Sequence, residues 1–243
     1  MRTLVAPTLA LPLMLVLAPL AGCGSTTPEV KPETTPDVPE ASHHTGSGIS
    51  MEAEVGAMNE GEVTSVFQRA QSKLMRCYEK GTQRVPYLGG KVRFAVRVDE
   101  NGKAKSVHLS ESTLGERETE RCMIDILRGS GWPSPKGGKE GRAESGFALE
   151  PDGDVRPPVT WSESDLGKKL GAAKDAISKC KSSVGAGSIR ATFYVDTDGR
   201  VQSVGVSGSD PATEQAADCI VSGLKALTFG SPGSYAAKVS IDG

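Results

Sequence analysis

Eight residues of this chain belong to the types most common in catalytic, redox and metal sites. They are the cysteines Cys23, Cys77, Cys122, Cys180 and Cys219 and the histidines His43, His44 and His108. A nucleophilic serine or cysteine needs a base beside it, and His108 is the one imidazole outside the polar N-terminal stretch. We expect His108 to lie on the surface of a strand. The sequence therefore predicts no catalytic residue and no enzyme activity.

Cofactor and metal motifs are also incomplete. The run Asp196–Thr197–Asp198–Gly199 resembles the start of a calcium loop, but the later ligands do not follow it. The adjacent pair His43–His44 lies in a polar linker, where two histidines alone rarely hold a metal ion. With a net charge of −2, the chain is not a generally basic nucleic-acid binder. We predict no cofactor, no metal, no nucleic acid and no small-molecule substrate.

The N-terminus has the features of an export signal. Arg2 precedes a long apolar run that ends in small residues, and Pro12 and Pro19 would break a membrane-spanning helix. A retained membrane anchor is the alternative interpretation of this run, which is short for a span. We predict a signal peptide over residues 1–22.

Residues Leu20–Ala21–Gly22–Cys23 end the apolar run and resemble the lipobox of bacterial lipoproteins. The resemblance implies that the Cys23 thiol receives a diacylglycerol and that the chain is cut before it. The new N-terminus would then be acylated, a palmitate-type modification. Several acyl chains anchor a protein stably, whereas one does not. Gly24 in the next position favours the outer membrane, facing the periplasm, with the inner membrane as the alternative.

A polar segment separates Cys23 from the part of the chain that we expect to fold. Residues 24–60 are rich in Ser, Thr, Pro and Glu and contain few large apolar side chains. Such a composition buries too little surface to fold, so we predict a disordered tether over residues 23–60. As a coil it would span roughly 30–35 Å.

The remainder of the chain contains one sequence unit twice. Shifting the sequence by 97 positions aligns the two copies over more than forty residues without a gap. The aligned features include residues 92–102 with 189–199, Cys122 with Cys219, and Ser134–Pro135 with Ser231–Pro232. We divide this part into two tandem small domains, residues 61–157 and residues 158–243.

Both copies are predicted to follow the order helix, strand, strand, helix, strand, which is an α+β fold. Apolar residues recur every three or four positions in the helices and every second position in the strands. Asn101–Gly102 and Asp198–Gly199 predict type I′ hairpin turns. The second helices are expected over residues 117–128 and 212–226, and the last strands over residues 146–150 and 236–241.

Four cysteines remain once Cys23 is assigned to the lipid. Four allow three disulfide connectivities. The repeat favours Cys77–Cys122 and Cys180–Cys219, because equivalent residues then occupy equivalent places; four free buried thiols are the alternative. Cys77 and Cys180 are 103 positions apart rather than 97, which six extra residues around 81–90 explain. An exported protein meets an oxidising compartment, where disulfides persist.

A family resemblance covers about residues 62–150. It rests on residues 76–80, 90–94, 99–103 and 112–115, on Cys122, and on Trp132–Pro133–Ser134–Pro135. These segments resemble the AgmX/PglI C-terminal domain of myxobacterial proteins, which is similar to the C-terminal domain of TonB. The second copy departs from the pattern: no Tyr follows Cys180, and Phe229–Gly230 stands where the family has an aromatic residue and proline.

The resemblance implies a small periplasmic domain that binds other envelope proteins and has no catalytic residues. A lipid anchor in place of a transmembrane helix makes energy transduction the weaker expectation. We therefore expect a lipid-anchored scaffold or adaptor, in a motility or transport machine, which binds envelope proteins by strand addition or surface contact. Each copy is expected to offer an exposed strand edge. A peptidoglycan- or glycan-binding structural factor is the second hypothesis, and an enzyme is the third.

Overall fold

The computed structural model describes residues 58–151 and 153–243. The predicted signal peptide, Cys23, His43–His44 and the tether up to residue 57 lie outside the described residues. These described residues belong to one compact unit. The predicted α+β class is confirmed.

The same order of elements occurs in both copies. The first copy contains α1 (Glu60–Arg84), β1 (Gly90–Val98), β2 (Ala104–Ser112), α2 (Arg117–Arg128) and β3 (Gly141–Leu149). The second begins with β4 (Val159–Trp161) and a 3₁₀ segment (Glu163–Lys169), then contains α3 (Leu170–Val184), β5 (Ile189–Val195), β6 (Val201–Gly208), α4 (Thr213–Lys225) and β7 (Ala237–Asp242). Strand β4 has no predicted counterpart, and β3 begins five residues before the predicted strand.

Local sequence explains the longest helix. The Asn59 side chain accepts a hydrogen bond from the Glu62 amide at 3.0 Å, which caps the first turn of α1. Val66, Ala70 and Leu74 form one buried stripe at the predicted spacing. Strand β1 shows the predicted alternation, with Phe94 and Val96 buried.

The hairpin turns lie where predicted, but the predicted type is wrong. A type I′ turn needs positive φ at two residues, yet only Gly102 (φ 78°) and Gly199 (φ 81°) have it. The Asp99 carboxylate accepts hydrogen bonds from the Asn101 and Lys103 amides, each at 2.9 Å. Asp196 repeats this arrangement in the second copy. These aspartates stabilise a three-residue loop with a glycine bulge, and the register of both hairpins shifts beside it.

The strands form two sheets, one from each copy. The first has the order β2-β1-β3 and the second the order β4-β7-β5-β6. Each sheet has its own hydrophobic cluster, although Tyr194 of β5 belongs to the first one. The division into two domains therefore stays a prediction within one compact unit.

Two disulfides link the helices. Cys77 of α1 is bonded to Cys122 of α2, and Cys180 of α3 to Cys219 of α4. The Cα atoms are 5.8 Å apart in both, within the usual range. The pairing is the one that the repeat favours, so each helix pair is joined over its sheet at the same place.

Candidate functional site: the outer strand edges

Strand β3 forms an outer edge of the first sheet. It pairs antiparallel with β1 from Gly141 to Leu149 and has no second strand partner among residues 58–151 and 153–243. Arg142, Glu144 and Ala148 are exposed along it. Every second amide and carbonyl on its outer side is therefore available to another strand.

An apolar groove of about 350 Å³ lies between α1 and β3, beside this edge. Phe67, Leu74, Met75 and Phe147 form its walls, and Gln68 is among its polar lining. Phe67 packs edge-on against Trp132 at 5.3 Å between ring centroids, and Phe147 lies 5.9 Å from Phe94. The rings are held by the core, so the walls of the groove are preformed.

Strand β7 is the counterpart of β3, but its outer edge is occupied. Strand β4 pairs with it in parallel, with Val159 opposite Ala237 and Trp161 opposite Val239. Trp161 also packs against the second hydrophobic cluster. The prediction of an exposed edge in each copy is therefore wrong for β7, because the segment that links the copies covers it.

The remaining long edge strands, β2 and β6, pack against each other across the two copies. The carboxylate of Glu120, on α2, accepts hydrogen bonds from the Ser112 hydroxyl at 2.7 Å and from the Val206 amide at 2.8 Å. Glu120 is fully buried, and burial raises its pKa to about 7. Gly205 leaves room for it, since a Cβ there would lie 2.2 Å from Glu120 Oε1.

Ion pairs join the copies beside this carboxyl group. Arg117 lies 3.1 Å from Glu214 and 3.2 Å from Asp218, and Arg121 also pairs with Asp218. Glu214 and Asp218 are the repeat counterparts of Arg117 and Arg121. Burial opposes the charge of Arg117, but its acidic partners raise its pKa overall.

His108 is buried between the copies, so the prediction of a surface position is wrong. It is 5% exposed, because the β2 face that carries it is covered by the second copy. Burial lowers the pKa of His108, against the charges of Glu214 and Asp210. Its Nδ1 has no hydrogen-bond partner among the described residues. The four cysteines of this part are bonded in disulfides, so none supplies a free thiolate beside it.

The structure places the other predicted site residues as follows. Cys77, Cys122, Cys180 and Cys219 brace the helices and do not meet at one site. Cys23 lies outside the described residues. Within the described part of the chain no cluster of His, Cys, Asp or Glu has the geometry of a metal site. No sequence pattern distinguishes the groove residues Phe67 and Phe147 from other apolar positions of a helix or strand.

Comparison with known proteins identifies no relative of this chain. No protein-family model, curated protein or solved structure gives a significant match to this chain. Among residues 58–151 and 153–243, no helix is both long and apolar enough to cross a membrane.

Proposed function

We propose that this chain is a non-catalytic, lipid-anchored binding or scaffold protein of the cell envelope. In this proposal it takes up an extended segment of another envelope protein along the outer edge of β3. The observation that carries the proposal is the nine-residue edge of β3, which is unpaired among the described residues and lies beside a preformed apolar groove. An open strand edge next to side-chain pockets is the arrangement that strand-adding peptide binders use.

The β3 edge and the adjacent groove would contribute differently to recognition. Hydrogen bonds from the β3 backbone would hold any extended chain, whatever its sequence. The walls formed by Phe67, Met75 and Phe147 would select segments with large apolar side chains at alternate positions. Strand β4 on β7 is an example of such pairing within the same molecule.

The anchoring part of the proposal rests on the sequence. Lipid on Cys23 would attach the protein to the outer membrane, and the tether would let the folded part reach partners roughly 30–35 Å away. The tandem arrangement of two TonB C-terminal-like domains belongs to the same proposal. It is supported by the repeated helix, strand, strand, helix, strand order and the repeated disulfide.

The test is capture of partners from crosslinked envelopes with matched groove variants. Phe67→Ser should abolish capture of a reproducible partner. Leu170→Ser, at the equivalent and half-buried position of the second copy, should leave capture intact. Equal capture by both variants, or no reproducible partner with the unaltered chain, would contradict the proposal. Cosedimentation with purified peptidoglycan in the absence of other proteins would favour the glycan-binding hypothesis instead.

A further inference from the structure

A second pocket, of about 510 Å³, lies where the two copies meet and has no role in the function proposed above. Its walls come from the loop between α1 and β1, from the end of β3, and from β4, β5 and β7. Three aromatic side chains line it, those of Tyr87, Trp161 and Tyr194. A concave site with aromatic walls and few polar groups is the usual form of a small-ligand site.

The extra residues of the first copy build one wall of this pocket. Tyr87 lies in that insertion, 5.5 Å from the Tyr194 ring, and its hydroxyl is hydrogen-bonded to Gln202. The Tyr194 hydroxyl donates to the Gly89 carbonyl and accepts from the Gly89 amide, each at 3.3 Å. The insertion is thus fixed onto the outer face of the second sheet, so one wall of the pocket comes from residues that the second copy lacks.

Lys238 is the more buried of the two lysines that line the pocket. Its ammonium group is bonded to the Gly89 carbonyl and lies 5.2 Å from the centre of the Tyr194 ring. No carboxylate of the described residues lies within ion-pair distance of it, and an ammonium group has donors left after one such bond. Burial lowers its pKa to about 8, against the charge of Glu120, which raises it.

The equivalent position of the first copy has no such surroundings. Arg142 of β3 stands opposite Arg97 of β1, as Lys238 of β7 stands opposite Tyr194 of β5. Arg142 and Arg97 are both exposed to solvent, whereas Tyr194 is fully buried. The desolvated lysine is therefore a feature of the second copy alone.

We propose that this pocket binds a carboxylate attached to an apolar group. The carboxylate would pair with the Lys238 ammonium, and the apolar part would lie against Tyr87, Trp161 and Tyr194. A phosphate is the poorer fit, because phosphate sites usually gather several cations or arginine forks. Here the second cation, Lys91, is exposed, and Glu150 adds a negative charge to the lining. The carboxylate can come from a free small acid or from the C-terminus of a peptide.

Calorimetric titration of the chain from Gly24 onward tests this proposal. The probes are N-acetylphenylalanine, its amide, and a hexapeptide ending in phenylalanine with a free C-terminus. Binding of either acid at least tenfold tighter than the amide is expected. Tighter binding of the hexapeptide than of the single residue would identify a peptide end as the source, and equal binding would identify a free acid. Equal binding of acid and amide, or no saturable binding of any probe, would overturn the proposal.

Matched variants locate the binding site. Lys238→Met keeps the length of the side chain and removes the charge, and it should weaken acid binding at least tenfold. Arg142→Met, at the equivalent position on β3, should leave it unchanged. Unaltered binding by the Lys238 variant would also overturn the proposal. The comparison of acid with amide needs no variant, so it decides the matter even if Lys238→Met folds poorly. Because Phe67→Ser lies outside this pocket, failure here would leave the β3 proposal untouched.

Discussion

The two copies present the same strand edge in opposite states. In the first copy the outer side of β3 has no strand partner among the described residues, whereas in the second the outer side of β7 is paired with β4. The disulfides, the hairpin turns and the order of elements are otherwise repeated. Three residues of the linking segment therefore cover the outer edge of β7, whereas no described residue pairs with the outer edge of β3. The repeated elements thus have different surroundings at this edge in the two copies.

The largest predicted effect concerns a feature that the copies share. Replacing both cysteines of either disulfide with serine should lower the free energy of unfolding by about 4 kcal/mol, because the closed loops have similar lengths. Denaturant titration of the Cys77/Cys122 and Cys180/Cys219 double variants would measure this. A loss in one copy and none in the other would show that the copies are not equivalent in the way the repeat indicates.

The second prediction concerns the contact that joins the copies. Arg117→Glu would place a carboxylate opposite Glu214 and should cost about 3 kcal/mol of stability, since Arg117 is only 9% exposed. Adding Glu214→Arg should recover most of this loss, because the two positions are repeat counterparts and the pair is simply reversed. A double variant as unstable as the single one would contradict a direct pairing.

The third prediction is a pH dependence that arises from Glu120, whose counterpart in the second copy is Ala217. Its folded pKa of about 7 lies above its ordinary value of 4.5, so the folded state favours the protonated form. The stabilisation that protonated Glu120 contributes is fully present below about pH 4.5, and it is lost as the pH rises to about 7. Relative to Glu120→Gln, the unaltered chain should lose up to about 3 kcal/mol over that interval.

Glu116 is the control for this titration. Burial opposes its charge, but bonds from Arg84 and Thr119 lower its pKa overall. Its contribution therefore has the opposite sign: it is present at neutral pH and is lost as pH falls below the ordinary range of a glutamate. Denaturant titrations of Glu120→Gln and Glu116→Gln across pH 3–8 should show opposite trends, and parallel curves would contradict the assignment to Glu120.

The smallest predicted effect concerns the strand that covers β7. Replacing Val159, Thr160 and Trp161 with Gly-Ser-Gly should cost about 2 kcal/mol, because Trp161 is only half-buried and Val159 is 40% exposed. The freed edge should also cause concentration-dependent self-association, measurable by light scattering. Val159→Thr, which keeps the strand, is the control and should show the same state of association as the unaltered chain. A triple variant that does not self-associate would weaken the view that β4 protects an edge.

Local patterns predicted the secondary structure well. Apolar spacing located the helices, and the glycine of each hairpin located the turn, because these signals depend on neighbouring residues only. The turn type was missed because Asp99 and Asp196 stabilise a different loop through their side chains. These aspartate hydrogen bonds are also local, but the Asn-Gly and Asp-Gly pairs are the stronger sequence signal and indicate a type I′ turn.

Features that arise from packing between the copies could not be predicted in the same way. The alternation of apolar and polar residues along β2 places His108 on the face that would be exposed to solvent, yet the second copy covers this face. Strand β4 has three residues, too few for a periodic signal. The insertion around residues 81–90 was visible as a gap in the repeat, but only the fold shows that it carries Tyr87 onto the second sheet. The unpaired edge of β3 could not be predicted either, because it depends on the linking segment pairing with β7 and not with β3.

Amide hydrogen exchange, followed by NMR on the chain from Gly24 onward, tests the central claim most directly. The outward amides of β3, at every second residue from Gly141 to Leu149, should exchange almost as fast as unpaired amides. The β7 amides beside β4, from Ala237 to Val239, should be protected on both sides of the strand. Equal protection of both strands in the free protein would contradict the claim that one copy is open and the other is closed.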